Sequence, residues 1–323
     1  MKPTTKLIVC AFAALALTAC KDEEIYIPIG QSIESQTGDD ENTNEEITEA
    51  NKAYASSSLD VPELKSGSVL VVHRAVINDK ASSKVEVNYA VEWDPTINAQ
   101  RWSCYKLYKN ALQINVSRYT ASNNETLTSN SQYPNDPDIA SKYRMTVDPY
   151  KSSGYDHGHI CPSADRQGSF NANYQTFFLT NMQPQYNSFN AGVWSDMEAK
   201  VREWAKSSSC DTLYVAKGGT IDKAENIYEW ICNGSHQKTK VNANHIPVPK
   251  YYFMAVMSRK GNDLKAIGFW VEYNATNKTL STYVKTIDQL EELTGINFFK
   301  NVPEAQQTEV ESSFGVLSDW WNL

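Results

Sequence analysis

Residues 154–166, GYDHGHICPSADR, place two of the five histidines of this chain one residue apart. In the order Asp156-His157-Gly158-His159, a carboxylate or a main-chain carbonyl can hold one imidazole nitrogen while the other faces a water molecule. Gly158 allows the backbone to turn sharply between them. This pattern is typical of a general base, but on its own it also fits a polar loop, so the surrounding residues must decide.

The segment that follows supplies groups suited to a metal and a phosphate. In residues 177–205, FFLTNMQPQYNSFNAGVWSDMEAKVREWA, a strand-like stretch leads through a proline-containing loop to Asn190 at the start of an amphipathic helix. Glu198 lies two turns along this helix and Arg202 one turn further. An amide oxygen, a carboxylate and a guanidinium on one helix can converge on a single metal-phosphate centre.

Together these segments resemble the DNA/RNA non-specific endonuclease family, the ββα-metal nucleases that include secreted bacterial nucleases and endonuclease G. Residues 156–165, DHGHICPSAD, match the Asp-Arg-Gly-His box of the family, and 180–185, TNMQPQ, match its Asn-x-x-Pro-Gln strand end. Residues 189–194, FNAGVW, followed by Glu198, match the metal-ligand asparagine and its helix. The resemblance extends over roughly residues 85 to 305. It implies an α+β fold with a central antiparallel sheet and helices packed on it.

The resemblance also implies a role for each catalytic residue in a metal-dependent hydrolysis of DNA or RNA that leaves 5'-phosphate ends. Asn190 is the expected ligand of Mg2+, with Mn2+ or Ca2+ as alternative ions. His159 is the expected base, and its ordinary pKa of about 6.5 suits that task. Glu198 would hold water molecules on the metal, Arg202 would offset charge on the phosphate, and Asp156 would position the box.

The resemblance implies that His157, Asn181 and Arg202 contact the substrate. His157 replaces the arginine that is usual in the family, so it either inherits a phosphate contact or only packs the loop. The segment 132–138 lacks the upstream arginine that some members use for phosphate.

The sequence does not decide whether another arginine takes over that phosphate contact. Arg118 and Arg144 are the candidates.

Two other functions remain open at this stage. The departures from the family pattern are compatible with a catalytically weakened lipoprotein that only binds nucleic acid. His157 and His159 could instead be ligands of zinc, since His-x-His occurs in such sites. That reading leaves Asn190 and Glu198 without a role, and tightly bound stoichiometric zinc would favour it.

The first twenty residues predict export and lipid attachment. Residues 1–20 have two lysines, a short apolar run and a small-residue approach to Cys20, which is typical of a bacterial lipoprotein signal peptide. An ordinary signal peptide is the alternative. The acidic run at 21–24 resembles an export signal for surface lipoproteins, so we expect an outer-membrane lipoprotein exposed on the cell surface, with the periplasmic face as the alternative.

Composition separates a tail from a globular domain. Residues 21–63 carry 12 acidic and 2 basic side chains, a net charge of -10, whereas residues 64–323 carry 26 of each. We predict an acidic disordered tether over 21–65 and one endonuclease domain over 66–323. The domain is neutral, which leaves room for a basic patch that binds nucleic acid. The oligomeric state stays open, a homodimer included.

Six β-branched and aromatic runs predict strands, and two amphipathic segments predict helices. The predicted strands are 69–77, 85–94, 102–110, 212–221, 249–258 and 265–274, and the predicted helices are 192–208 and 287–295. Two sets of strands around a central helix indicate an α+β protein. Of the four cysteines of the domain, Cys210 and Cys232 flank a candidate hairpin and could form a disulfide. The alternative is that these two, with Cys104 and Cys161, are small buried apolar residues.

Overall fold

The structure, a computed structural model, describes residues 48–123 and 131–321. The predicted signal peptide, Cys20 and most of the predicted acidic tether lie outside the described residues. Within the described residues, no helix has the length and the apolar character needed to cross a bilayer.

Three antiparallel sheets account for the strands. The strands of the described chain are β1 Val69–Val76, β2 Val85–Asp94, β3 Ala99–Leu107, β4 Asp156–His159, β5 Met182–Gln185, β6 Thr212–Gly219, β7 Ile227–Cys232, β8 Ser235–Gln237, β9 Ile246–Pro249, β10 Tyr251–Lys260, β11 Asp263–Glu272 and β12 Val284–Lys285. The main sheet has seven strands in the order β1-β2-β3-β6-β10-β11-β12, and every neighbouring pair is antiparallel. β4 pairs with β5, and β7 lies between β8 and β9. The predicted central antiparallel sheet is confirmed.

Helices cover both faces of the main sheet. The α-helices of the described chain are α1 Thr48–Ser57, α2 Phe170–Gln175, α3 Asn187–Phe189, α4 Ser195–Lys206, α5 Ile287–Thr294, α6 Glu304–Ser312 and α7 Leu317–Trp321. On β10, Tyr252 and Met254 pack in the cluster that contains α4, whereas Phe253 and Ala255 pack in the cluster that contains α5 and α6. Because both faces are buried, the central strands read as continuous apolar runs rather than as alternating ones.

Both predicted helices are present, and their ends follow from local chemistry. α5 begins at a capping box. The main-chain nitrogen of Gln289 donates to the Thr286 hydroxyl, and the main-chain nitrogen of Thr286 donates to the Gln289 side chain. The helix ends at Gly295, with φ 70°. α4 is preceded by an irregular turn over Asn190–Trp194, interrupted at Gly192. The predicted helix over 192–208 therefore begins three residues later, at Ser195.

The boundary of the domain differs from the prediction. The predicted tether includes residues 48–65, but in the structure these residues contain α1 and pack on the main sheet. Ala55 is 6% exposed and Val61 is fully buried, in the same apolar cluster as Phe298. A few small apolar side chains suffice to dock this segment, so its polar composition was misleading.

The predicted Cys210–Cys232 disulfide is wrong, because both residues are free cysteines. Cys210 lies before β6 of the main sheet, whereas Cys232 ends β7 of the three-stranded sheet, so they do not flank one hairpin. Cys104, Cys161 and Cys210 are buried, as expected if they serve as small apolar core residues, while Cys232 is half-buried.

Candidate active site

A short hairpin-like pair of strands carries the histidine box. β4 pairs antiparallel with β5 in a register that places Asp156 opposite Gln185 and His159 opposite Met182. A β-carbon on Gly158 would lie 2.4 Å from Cδ of Gln185, which is itself 1% exposed. Glycine is therefore needed where the two strands pack most closely, and this explains its place between the histidines.

Asp156 orients the predicted metal ligand. Its Oδ2 accepts hydrogen bonds of 2.9 Å from Nδ2 of Asn190 and of 2.9 Å from Nδ2 of Asn187. Because the amide nitrogen of Asn190 is committed to Asp156, its oxygen is the end left for a cation. An amide oxygen is a hard ligand of the kind that Mg2+ prefers, so the residues present fit a magnesium ion.

His159 presents one ring nitrogen without a hydrogen-bond partner. Among the described residues, Nε2 of His159 is buried and accepts no hydrogen bond. Burial, followed by the positive charge of Arg118, lowers the pKa of His159 well below its ordinary value, although a hydrogen bond with the main chain of His157 acts in the opposite direction. The imidazole is therefore neutral near pH 7, with a nitrogen able to accept a proton.

Glu198 is held by a lysine that sequence reasoning missed. Nζ of Lys217 lies 2.6 Å from Oε1 of Glu198, and the lysine side chain is fully buried on β6. Lys217 also lies 4.7 Å from the centre of the Trp194 ring. Burial raises the pKa of Glu198, and Lys217 acts against this rise. A single lysine inside the apolar run of β6 was the available signal, since lysine is almost never fully buried without a partner.

Arg202 pairs with a carboxylate of the histidine segment. Its Nη1 donates to Oδ1 of Asp165 at 3.0 Å, and Oδ2 of Asp165 accepts the hydroxyl of Tyr105 at 3.1 Å. The positive charge of Arg202 also acts on Glu198. The structure therefore places Arg202 in the same charged cluster as Glu198.

His157 lies in an aromatic sandwich. Its ring stacks on Tyr133 at 3.6 Å and 4°, and on Tyr150 at 4.2 Å and 28°. Its Nε2 lies 3.0 Å from Oδ1 of Asp148. Burial raises the pKa of Asp148, but the hydrogen bond and charge of His157 together with main-chain hydrogen bonds from Tyr150 and Lys151 lower it below its ordinary value. With both ring faces covered and Nε2 engaged, the geometry favours the packing role over the phosphate contact.

The predicted substrate contact of Asn181 is wrong, because this residue is fully buried. Its Oδ1 accepts from the main-chain nitrogen of Cys161 at 2.8 Å and from Oγ of Ser103 at 3.1 Å. Its Nδ2 donates to the carbonyls of Cys161 at 2.9 Å and Thr176 at 2.8 Å. Asn181 thus ties the residues after β4 to the loop before β5, and it supports the site without touching a ligand.

Of the two candidate arginines, Arg118 lies near the base. Its Cζ is 4.7 Å from the centre of the Phe177 ring, and that ring centre is 4.8 Å from the ring centre of His159. Arg144 instead donates to the carbonyls of Ile139 at 3.0 Å and Pro137 at 2.8 Å, so it fixes a loop.

The zinc alternative finds no support in the geometry. Over residues 48–123 and 131–321, two groups of three histidine or carboxylate side chains could hold a metal, and neither contains His157 or His159. The groups are His73 with Asp136 and Asp138, and Asp288 with Glu291 and Glu311. Nε2 of His157 is directed at Asp148 rather than at the free nitrogen of His159.

Comparison with known proteins agrees with this geometry. The family model for DNA/RNA non-specific endonuclease matches residues 72–305. The chain is 32% identical over 177 residues to a nuclease of Nostoc sp. (strain PCC 7120 / SAG 25.82 / UTEX 2576), covering 52% of this chain and 59% of that protein. It is 23% identical over 228 residues to the mitochondrial endonuclease G of Bos taurus, covering 69% of this chain and 70% of that protein.

A solved structure shows the same fold. The EndoG chain in a crystal structure of the EndoG/EndoGI complex matches with a TM-score of 0.55 and 20% identity, covering 71% of this chain and 88% of that one. The chain spans between 57% and 66% of the length of the first four curated relatives it matches. With the family model covering most of the domain, this chain belongs to the DNA/RNA non-specific endonuclease family.

Proposed function

We propose that this protein is a metal-dependent, sequence-non-specific endonuclease that hydrolyses phosphodiester bonds of DNA, RNA or both and leaves 5'-phosphate ends. One observation carries the proposal. A neutral His159 with an unpartnered Nε2 lies on the same four-residue strand as Asp156, whose carboxylate holds the amide of Asn190. A base and an oriented hard ligand are thus supplied by adjacent elements.

His159 would act on the attacking water. As the water oxygen bonds to phosphorus, its proton passes to Nε2 of His159, and the bond from phosphorus to the 3' oxygen breaks. The leaving 3' oxygen takes up a proton from water, and the phosphate stays on the 5' oxygen of the downstream strand, which gives a 5'-phosphate end. Because burial and Arg118 lower the pKa of His159, the base is unprotonated at neutral pH before each turnover.

Asn190 is the residue that would hold Mg2+ directly, and Glu198 would hold the ion through water molecules, with Mn2+ or Ca2+ as alternative ions. The ion would supply positive charge next to the phosphate oxygens and the leaving oxygen. Asp156 keeps the amide oxygen of Asn190 in place, and Lys217 fixes one oxygen of Glu198. The other carboxylate oxygen of Glu198 could then orient water molecules around the ion.

Two arginines would neutralise the phosphate. Arg118 lies over Phe177 beside His159, and Arg202 lies beside Asp165 and Glu198. Contacts made to phosphate alone carry no base identity, which agrees with a lack of sequence preference. We assign Arg118 the phosphate contact that the upstream arginine makes in other members.

Plasmid digestion tests the proposal. Purified protein should convert supercoiled plasmid to open and then fragmented DNA with Mg2+, and EDTA should stop the reaction. The new ends should accept a 5' label only after phosphatase treatment. Intact plasmid under all metal conditions, together with binding of the same DNA, would instead support the catalytically weakened lipoprotein.

We also propose that a lipid on Cys20 attaches the protein to the outer membrane with its domain at the cell surface. The signal-peptide pattern and the acidic run after Cys20 support this. Cys20→Ser should move the protein from the membrane to the soluble fraction. Protease added to intact cells should remove the domain, whereas protection until the outer membrane is opened would indicate the periplasmic face.

A further inference from the structure

Three carboxylates of α5 and α6 converge on the side of the main sheet away from the catalytic helix. Asp288, Glu291 and Glu311 each place one oxygen within 4.8 Å of the others. Asp288 and Glu291 are three residues apart on α5 and therefore share one of its faces. Both helices pack in the apolar cluster of Phe253, whereas α4 packs in the opposite one. This cluster is thus separate from the candidate active site.

Glu311 is the member that needs a ligand. The residue is 9% exposed, and its Oε1 is buried with no hydrogen-bond partner among the described residues. A buried polar atom without a partner destabilises the fold, and more so when the group is charged. A neighbouring charge or proton would compensate this oxygen, and one oxygen of each of the other two carboxylates lies within 4.8 Å of the Glu311 carboxylate.

The charged groups around the cluster are acidic. Burial first, and then Glu311, Asp288 and Glu63, raise the pKa of Glu291 to about 7, against a hydrogen bond from the Phe298 main chain. Burial and Asp288 likewise raise the pKa of Glu311, against a hydrogen bond between the Gln307 side chain and its carboxylate. That main-chain nitrogen of Phe298 donates to Oε1 of Glu291 at 2.7 Å, which fixes the carboxylate in the cluster. A cation would offset this repulsion.

We propose that Asp288, Glu291 and Glu311 bind one Ca2+ ion that links α5 to α6. Calcium takes six to eight oxygen ligands in flexible geometry and accepts carboxylates through one or two oxygens, so three carboxylates plus water molecules are a suitable set. Mg2+ demands a smaller octahedral arrangement and zinc favours nitrogen and sulfur ligands. The ion would give Oε1 of Glu311 its missing partner. The proposal is independent of the proposed nuclease activity.

Thermal unfolding tests the site. The purified protein is stripped with EDTA, and its Tm is measured by circular dichroism after addition of Ca2+ or Mg2+. At Ca2+ concentrations about 100-fold above Kd, the wild-type Tm should rise by roughly 5–10 °C for a domain of this size, and Mg2+ should give much less. Glu311→Gln should lose most of the rise. Glu309→Gln, which changes an exposed glutamate of the same helix, should keep it.

Two further variants keep the test decisive. Asn190→Ala, altered at the candidate catalytic site, should retain the Ca2+ shift. Asp288→Asn, at the exposed end of the cluster, should weaken Ca2+ binding at least about tenfold even if Glu311→Gln fails to fold. No Ca2+ shift in the wild type, or equal shifts in Glu311→Gln and Glu309→Gln, would overturn the proposal. A wild type that ignores Ca2+ while Glu311→Gln is more stable in EDTA would mean that the carboxylates share a proton instead.

Discussion

Nε2 of His73 lies 3.0 Å from Oδ2 of Asp136, and both side chains are completely buried. The second ring nitrogen, Nδ1, lies 3.2 Å from Oδ2 of Asp138. Asp136 also accepts the hydroxyl of Thr180. This buried pair fixes the segment that carries Tyr133 against β1, and Tyr133 in turn stacks on His157 beside the candidate base.

The His73 pair predicts a pH dependence of stability. Burial alone would lower the pKa of His73, but Asp136 and Asp138 outweigh it and raise the pKa to about 9, from an ordinary value of 6.5. Since the folded pKa is the higher one, the stabilisation is complete below pH 6.5 and is lost as pH rises through 9. We expect the free energy of unfolding to fall by on the order of 3 kcal/mol across this window, measured with urea. His73→Gln should abolish this slope, whereas His236→Gln, at an exposed histidine, should preserve it.

His159→Ala should keep the fold and lower kcat by roughly two to four powers of ten, because it removes the general base. His236→Ala, at an exposed histidine outside the candidate site, is the matched control and should cut normally. Because the pKa of His159 is lowered, kcat/KM of the wild type should stay level down to pH 6.5 and fall only below it. Undiminished cleavage by His159→Ala would remove this residue from the mechanism.

Asn190 and Asn187 offer a matched pair, since both donate to Oδ2 of Asp156 at 2.9 Å. Asn190→Ala should raise the Mg2+ concentration needed for half-maximal activity by at least about tenfold, because it removes the direct ligand. Asn187→Ala removes only the exposed partner of Asp156, so it should change the half-maximal Mg2+ concentration little. The measurement is a metal titration of plasmid cleavage, and equal shifts in both variants would place the ligand elsewhere.

Lys217→Met should lower the free energy of unfolding by about 3–5 kcal/mol, because it leaves the carboxylate of Glu198 buried without its cation. Activity should fall with it, since Glu198 loses the bond that fixes its orientation. Adding Glu198→Gln to this variant should restore part of the stability but not the activity. Denaturant unfolding and cleavage assays on the single and double variants separate the two effects. Full activity in folded Lys217→Met would argue against an orienting role.

His157→Arg should leave affinity for nucleic acid unchanged and level between pH 7.5 and 6, measured with EDTA so that nothing is cut. The reason is that an arginine can stack between Tyr133 and Tyr150 and pair with Asp148, as the histidine does. His157→Ala should lower the free energy of unfolding by roughly 1 to 3 kcal/mol through the lost stacking. An affinity that rises as pH falls in the wild type, and not in His157→Arg, would restore the phosphate role.

The sequence predicts best those features that arise from contiguous residues. The six predicted strand runs correspond to six of the seven strands of the main sheet, and only the two-residue β12 was not predicted. The histidine box, Asn190 and the first two turns of α4 lie in one stretch of the sequence, residues 156–202, so their order and spacing were enough to predict a candidate site there. Gly295 ended its helix where the sequence placed it.

The remaining features depend on contacts between distant residues. Asn181 matches a family motif, but its burial results from bonds to Ser103 and to the residues after β4. The partner of Glu198 comes from β6, and nothing in the spacing of α4 indicates Lys217. The sequence does not decide between a phosphate contact and a packing role for His157, because Tyr133 and Tyr150 stack on it from a segment without a periodic pattern. Hydrogen bonds and packing between residues that are far apart in the sequence could therefore not be predicted from it.

The packing of α7 on α4 affects the order in which the site can be assembled during synthesis. Trp320 of α7 is fully buried, and its ring centre lies 5.0 Å from that of Trp204, on the helix that carries Glu198 and Arg202. The ribosome adds α7 after every other described element. A nascent chain that lacks α7 leaves the Trp204 ring without its Trp320 contact, so we expect the packing of α4 to be complete only after α7 has been synthesised.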